Sequence, residues 1–284
     1  MSDYVFNPAQ QWRLPPPGPS PDLHRSQVTN LLLSAGIRVS SNSLQDAPTL
    51  AILGAGPCHD IDLHRLLDQF ESIQLVDLDH HTLQQGVEQQ RVSHHPKLKR
   101  LAPFDVTGID RCLSEFSSLP TGASKQSIAE MFDRIDEFSW GPVDRELDLI
   151  ASTCLLSQLI SQVVESVGEQ HENFVELIQR IRRQHLQLMI DHLRVGGLGV
   201  IIFDFVSSDT LSRLPHLTGE PLKRALQAAI DQNNFFHGMN PQVIHHVLFS
   251  DFQEQTHNLS ATPPWVWNAG ARCYGVTAFV FEKR

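Results

Sequence analysis

Cysteine is scarce in this chain: four in 284 residues, Cys58, Cys112, Cys154 and Cys273, far apart and with no C-x-x-C pair. That scarcity excludes a compact disulfide scaffold and a zinc knuckle, and it fits a reducing compartment. Basic charge is short as well, with 22 Lys and Arg against 32 Asp and Glu, a net charge of -10, and no long basic run. A nucleic-acid binder must neutralise phosphates, so no nucleic-acid partner is expected; the acidity serves solubility instead. The N-terminus lacks an apolar signal core, and no run approaches the 18 or so apolar residues of a membrane span. The expectation is a cytoplasmic protein with no membrane partner.

What is present suits one large α/β domain. Hydrophobic residues make up 41% and charged residues 19%, enough apolar surface for a core, and no linker divides the chain. Residues 1–21 carry six prolines, Pro8, Pro15, Pro16, Pro17, Pro19 and Pro21, which deny that segment helix and sheet hydrogen bonds. It reads as an extended arm, with the domain over 22–284. Asp22 starts a helix to about Ile37. Short apolar runs at 49–53, 73–79, 98–103, 147–152 and 198–205 read as strands, with helices between them over 59–70, 82–93, 169–193 and part of 109–140. Strands alternating with helices signify a mostly parallel sheet covered on both faces. Gly196-Gly197 should stop the long helix, and Leu198 to Phe205 is apolar enough for a strand buried on both sides. Helices follow over 220–231 and from Asn240-Pro241 to about Asp251. Two final strands, 252–259 and 271–281, are joined by a loop without a helix and should be antiparallel, making seven in all.

The chemistry-bearing stretch begins at Thr49-Leu50-Ala51-Ile52-Leu53-Gly54-Ala55-Gly56-Pro57-Cys58-His59-Asp60. A strand runs into a Gly-x-Gly turn and then a helix start. Glycine at 54 lets the chain turn sharply, and glycine at 56 lets backbone approach a ligand held near the helix N-terminus. About twenty residues on, the second strand reaches Asp77, a carboxylate able to accept both hydroxyls of a ribose.

Together LGAGPCHDIDL and LVDLD resemble the first two motifs of class I S-adenosylmethionine-dependent methyltransferases, and the resemblance continues at Phe104-Asp105-Val106 and Asp148-Leu149-Ile150-Ala151-Ser152-Thr153. It spans about 45–284. It implies a Rossmann-like doubly wound sheet of five parallel strands followed by a hairpin whose last strand inserts antiparallel. It also implies S-adenosyl-L-methionine as cofactor, held by Gly54, Ala55, Gly56, Pro57, Asp77, Leu78, Asp105, Val106, Ser152 and Thr153. Two residues depart from the family pattern: Ile52 replaces a usual acidic residue, and Cys58 replaces a frequent third glycine. The fourth strand ends without the Asn-Pro-Pro-aromatic pattern of amino-methyltransferases acting on nucleic acids and glutamine, and without the acid that aminopropyl transfer needs. Both absences favour a small-molecule or otherwise unassigned acceptor; a small molecule is the leading expectation, with the methylated atom O, N or S left open.

For a general base the candidates are Asp204, ending the fifth strand, and His237 in Asn233-Asn234-Phe235-Phe236-His237-Gly238. Cys154, Phe235, Phe236 and Trp267 are candidate walls of an acceptor pocket. Cys58, His59, Asp60, Asp62 and His64 crowd together, but a helix would set only Asp60 and His64 on one face, so no metal is expected. Two alternatives stand beside the enzyme. One is a non-catalytic S-adenosylmethionine-binding sensor or partner protein; the other is an NAD-dependent dehydrogenase using Asp77 for the adenine ribose, which Cys58 and the terminal hairpin disfavour. Oligomeric state is left open.

Overall fold

The computed structural model describes residues 23–41, 47–117 and 124–284. The Pro-rich arm of 1–21 lies outside the described residues, as does the Thr121-Gly122 break. Nine α-helices are described among these residues: α1 (Leu23–Ser41), α2 (Leu63–Gln69), α3 (His80–Gln89), α4 (Asp110–Ser117), α5 (Lys125–Glu137), α6 (Leu155–Val167), α7 (Phe174–His192), α8 (Gly219–Asp231) and α9 (Pro241–His246). They surround eight strands: β1 (Thr49–Leu53), β2 (Ser72–Val76), β3 (Leu98–Leu101), β4 (Leu147–Thr153), β5 (Leu193–Ser207), β6 (Thr256–Ala261), β7 (Trp265–Asn268) and β8 (Cys273–Lys283).

The strand order is β3-β2-β1-β4-β5-β8-β6, with β7 also paired to β8. Strands β1 to β5 pair in parallel, β8 runs antiparallel to β5, and β6 and β7 run antiparallel to β8. This is a Rossmann-like sheet with an antiparallel C-terminal insertion. Helices cover both faces because the central strands are apolar on both. Leu50 and Ile52 of β1 pack with α1, α2 and α3, while Ala51 and Leu53 face α4 to α7. Every residue of β4 is buried.

Several boundaries differ from the sequence reading. Among the described residues the strand count is eight, not seven, because Trp265 to Asn268 of the expected loop pairs with Cys273 to Val276. Asp79 accepts from the His81 and Thr82 amides, so α3 begins two residues early; Asp62 accepts from the Arg65 amide, so α2 begins four residues late. Helix α7 stops at His192, and Gly196-Gly197 belongs to an irregular stretch of β5 where its register against β4 shifts. A π-helical turn over Val247–Asp251 delays β6 to Thr256. The sequence reading also left 155–167 without an element, although Leu155, Leu156, Leu159, Ile160, Val163 and Val164 recur at helical spacing.

At the N-terminal end of the strands, opposite the Gly-x-Gly turn, Asp148 ties three strands together. One carboxylate oxygen accepts from the Thr49 amide at 2.9 Å and its hydroxyl at 3.0 Å, and the other from Arg194 Nε at 2.6 Å. Asp148 is buried while Arg194 keeps some water, so the pair is neither a free surface bridge nor a fully desolvated one. Asp148→Ala is expected to cost about 3 kcal/mol, towards the low end for breaking a buried pair, and to lower Tm by roughly 6 °C or more. Thermal and urea unfolding monitored by circular dichroism check this.

Candidate active site

The turn after β1 is held by backbone hydrogen bonds together with the side chains of Asp77 and Thr153. Gly54 takes φ +72°, and the amides of Gly54 and Ala55 both donate to the Val76 carbonyl, at 2.9 and 3.2 Å. The Gly56 amide donates to Asp77 Oδ2 at 2.7 Å, and Asp77 Oδ1 accepts from the Asp79 amide at 2.8 Å. Helix α3 closes on the turn so tightly that a Cβ on Gly86 would stand 2.3 Å from the Pro57 carbonyl oxygen. Cys58 sits at φ +54°, in the left-handed region, which is the physical reason glycine suits this position. Its thiol is fully buried, and burial first, then Asp77 and Asp60, pushes its pKa up to about 12. It is inert as a nucleophile.

Beyond the carboxyl ends of β1, β2 and β3 lies a cleft of about 80 Å³ that brings together Gly54, Asp77, Leu78, Asp105 and Val106, with Phe104, Asp110, Leu155, Gln158 and Gln162 among its other walls. Asp105 is already engaged: Oδ1 accepts from the Thr107 amide and hydroxyl at 2.8 and 2.6 Å, and Oδ2 from the Asp110 amide at 2.9 Å. The Val106 carbonyl accepts from Trp140 Nε1 at 2.9 Å. Burial, then the nearby Asp105 charge, raises the Asp110 carboxyl. Ala55, Gly56, Pro57, Ser152 and Thr153, also expected at the cofactor, do not line this cleft. No heavy atom lies within 4 Å of where a Gly56 Cβ would stand, whereas one on Gly54 would meet Leu155 Cβ at 2.8 Å.

The end of β4 splits by pleat. Thr153 points toward the turn, and its hydroxyl donates to the carbonyls of Leu53 and Gly54, each at 3.1 Å. Ser152 faces the other way, where its hydroxyl meets His185 Nε2 at 2.9 Å. Cys154 turns the chain at φ +49°, is buried, and leads straight into α6.

On the other side of the first turns of α6 is a second cavity of about 350 Å³, and it gathers Asp204, Phe236 and His237 with Ser157, Gln158, Arg272 and Tyr274. Gln158 lines both spaces. Asp204 is 6% exposed, and Ser157 Oγ lies 2.5 Å from its Oδ1. Burial raises its carboxyl, with the Ser157 hydrogen bond opposing. His237 is half-exposed, with Nε2 2.9 Å from Glu169 Oε1. Phe235, Cys154 and Trp267 do not line this cavity. Phe235 packs on the core, and Trp267 stacks on His24 of α1 at 4.5 Å between ring centroids. His24 Nδ1 accepts from Trp265 Nε1 at 3.0 Å, which leaves Nε2 toward Asp60 at 3.4 Å. No group of three or more His, Cys, Asp or Glu among the described residues is placed to hold a metal ion, and no helix among them is long and apolar enough to cross a membrane.

No family model matches the chain, and no curated protein is similar to it in sequence. Among solved structures it is similar to the N-methyltransferase NodS from Bradyrhizobium japonicum, in complex with S-adenosyl-L-homocysteine, at 12% identity over 93% of each chain with a TM-score of 0.41. It is similar to an rRNA methylase from Streptococcus thermophilus at 10% identity, covering 89% of this chain and 95% of that one, with a TM-score of 0.38. The plantazolicin methyltransferase BpumL, in complex with a monoazolic desmethylPZN analog and S-adenosyl-L-homocysteine, is 11% identical over 89% of this chain and 84% of its own, with a TM-score of 0.43. The fold itself rests on the strand order and the reversed β8, which are the arrangement the sequence resemblance implies.

His185 is a buried titratable group behind the site. It is 1% exposed, its Nδ1 has no partner among the described residues, and burial lowers its pKa to about 4 from 6.5. In the unfolded chain the imidazole takes a proton below about pH 6.5, while the folded protein refuses it until about pH 4. Stability from this residue is therefore complete above pH 6.5 and falls as pH drops, by about 3 kcal/mol across that window. His185→Leu is expected to remove about one proton from the pH dependence of unfolding between pH 6.5 and 4, read from urea unfolding at a series of pH values.

Proposed function

We propose that this protein transfers a methyl group from S-adenosyl-L-methionine to a small-molecule acceptor. The observation that carries the reading is the pair of cavities meeting at Gln158, one holding Gly54, Asp77, Leu78 and Asp105 beyond the parallel strands, the other holding Asp204, Phe236 and His237. Ligands of open α/β sheets collect at that edge. The donor set suits an adenosyl group. Asp77 would accept ribose hydroxyls with lone pairs not used by the Gly56 and Asp79 amides, Leu78 and Phe104 would flank the adenine, and Asp105 would lie near its amino group. The open space beside Gly56 would take the methionine end, with Thr153 holding the turn in shape.

When bound, the cofactor supplies a methyl group already activated by the sulfonium, so the chain's own contribution is proximity, orientation and exclusion of water. A space of about 350 Å³ is the size of a small-molecule pocket, and the -10 net charge gives phosphates no attraction, which favours a small acceptor over RNA. The reversed β8 disfavours an all-parallel dinucleotide dehydrogenase.

One observation favours the second reading, a non-catalytic S-adenosylmethionine-binding protein. The adenosyl cleft measures about 80 Å³, below the roughly 300 Å³ at which ligand pockets begin, and Leu155 lies directly against Gly54. The Leu155, Gln158 and Gln162 side chains of α6 occupy the wall where an adenosyl group would need room. Calorimetry is expected to give a micromolar Kd for S-adenosylhomocysteine, about -8 kcal/mol, and no binding of NAD; the reverse result moves the protein to the dehydrogenase reading. Asp77→Ala is expected to weaken that binding by about 1.5 to 3 kcal/mol. It should also lower Tm, since Asp77 holds the Gly56 amide; unchanged affinity in a folded variant means the ribose is held elsewhere. Binding without turnover of any acceptor supports the sensor reading.

A further inference from the structure

The second cavity contains a buried carboxylate, Asp204. Asp204 is 6% exposed, forms no ion pair among the described residues, and receives a side-chain hydrogen bond from Ser157 alone. Arg272 on the cavity wall already pairs with Asp209 at 2.6 Å, and His237 Nε2 lies 2.9 Å from Glu169 Oε1. Phe236 and Tyr274 stand beside it, edge to face with centroids 6.2 Å apart, and offer apolar surface and a negative ring face. A buried carboxylate is costly until a cation completes it, and an aromatic wall favours a cation further. Neutral hydroxyl or thiol acceptors would leave that demand unmet.

We propose that this cavity binds a small primary or secondary amine as its ammonium ion, with Asp204 as counter-ion and Phe236 and Tyr274 as walls, and that this amine is the methyl acceptor. The second half of the proposal rests on the methyl-transfer reading; the first does not. For transfer, one ammonium proton passes to the Asp204 carboxylate, which leaves a lone pair on nitrogen. That lone pair forms the new nitrogen–carbon bond as the carbon–sulfur bond of the sulfonium breaks and its electron pair stays on sulfur. The methylated nitrogen leaves as an ammonium ion, and Asp204 returns its proton to solvent. Burial, which raises the Asp204 carboxyl, suits it to take that proton.

The test uses the full chain with no methyl donor, titrated by calorimetry with benzylamine and phenethylamine and with their neutral isosteres benzyl alcohol and 2-phenylethanol. Wild type is expected to bind the amines about tenfold or more tighter than the alcohols, the size of one hydrogen bond to a buried charge. Asp204→Asn, which keeps an acceptor for Ser157, should abolish the preference. Phe236→Leu, which stays apolar but removes the ring face, should reduce amine affinity by a larger factor than alcohol affinity. Equal binding of amine and alcohol, no amine binding, or a preference that survives Asp204→Asn overturns the amine site. Turnover is then assayed with the same amines and S-adenosylmethionine. Amine binding without methylation, in a protein that binds S-adenosylhomocysteine, overturns the acceptor role alone; failure to bind S-adenosylhomocysteine overturns the methyl-transfer reading and leaves the amine site standing.

Discussion

The carboxylate of Asp77 is the constraint on which the site depends. Its two oxygens hold the Gly56 amide of the turn after β1 and the Asp79 amide at the start of α3, so one side chain fixes both lips of the cleft. Around it, the amides of Gly54 and Ala55 share the Val76 carbonyl, and Gly86 lets α3 press on Pro57. A charge-assisted bond in a half-buried place is stronger than a neutral one, and here it also sets geometry. The same residue that would grip a ribose is thus part of the scaffold, and a turn of backbone is made rigid without any side chain of its own.

Helix α6 is the second determinant. It follows β4 with no connecting loop, since Cys154 makes the turn in a left-handed conformation and Leu155 is already helical. Its first turns therefore form the wall between the two cavities, with Leu155 against Gly54, Ser157 on Asp204 and Gln158 in both. Any communication between a cofactor and an acceptor must run past these side chains. Burial acts most strongly on the polar groups around the wall, raising the Asp204 carboxyl on one side and lowering the His185 imidazole beside Ser152 on another.

Much of the architecture was legible in the sequence. Four of the five parallel strands were readable as short, mainly apolar runs, β3 with its Lys99 and Arg100 being the exception, and the antiparallel end because two late strands had no room for a crossover helix. The turn glycines and Asp77 were readable from their spacing. Helix α6 was missed although its leucines, isoleucine and valines repeat every three or four residues. Strand β7 was missed because Pro263 and Pro264 make its flank read as loop, and its pairing with β8 is a contact between segments that only the folded hairpin aligns. The start of α3 was misplaced because the cap at Asp79 is a hydrogen bond, not a pattern.

By itself, then, the sequence determined the class of fold, the turn that ends β1 and the carboxylate that faces it, because periodicity, glycine and residue spacing act over short distances along the chain. Only the tertiary structure decided which side chains share a cavity. Ser152 and Thr153 are neighbours in sequence, yet the pleat sends one to His185 and the other to the turn. Phe235 and Phe236 are neighbours too, yet only the second lines the space with Asp204. Trp267 was drawn away to stack on His24, more than two hundred residues distant in the chain. Side-chain direction and long-range packing decide such matters, and neither is written in any local stretch of residues.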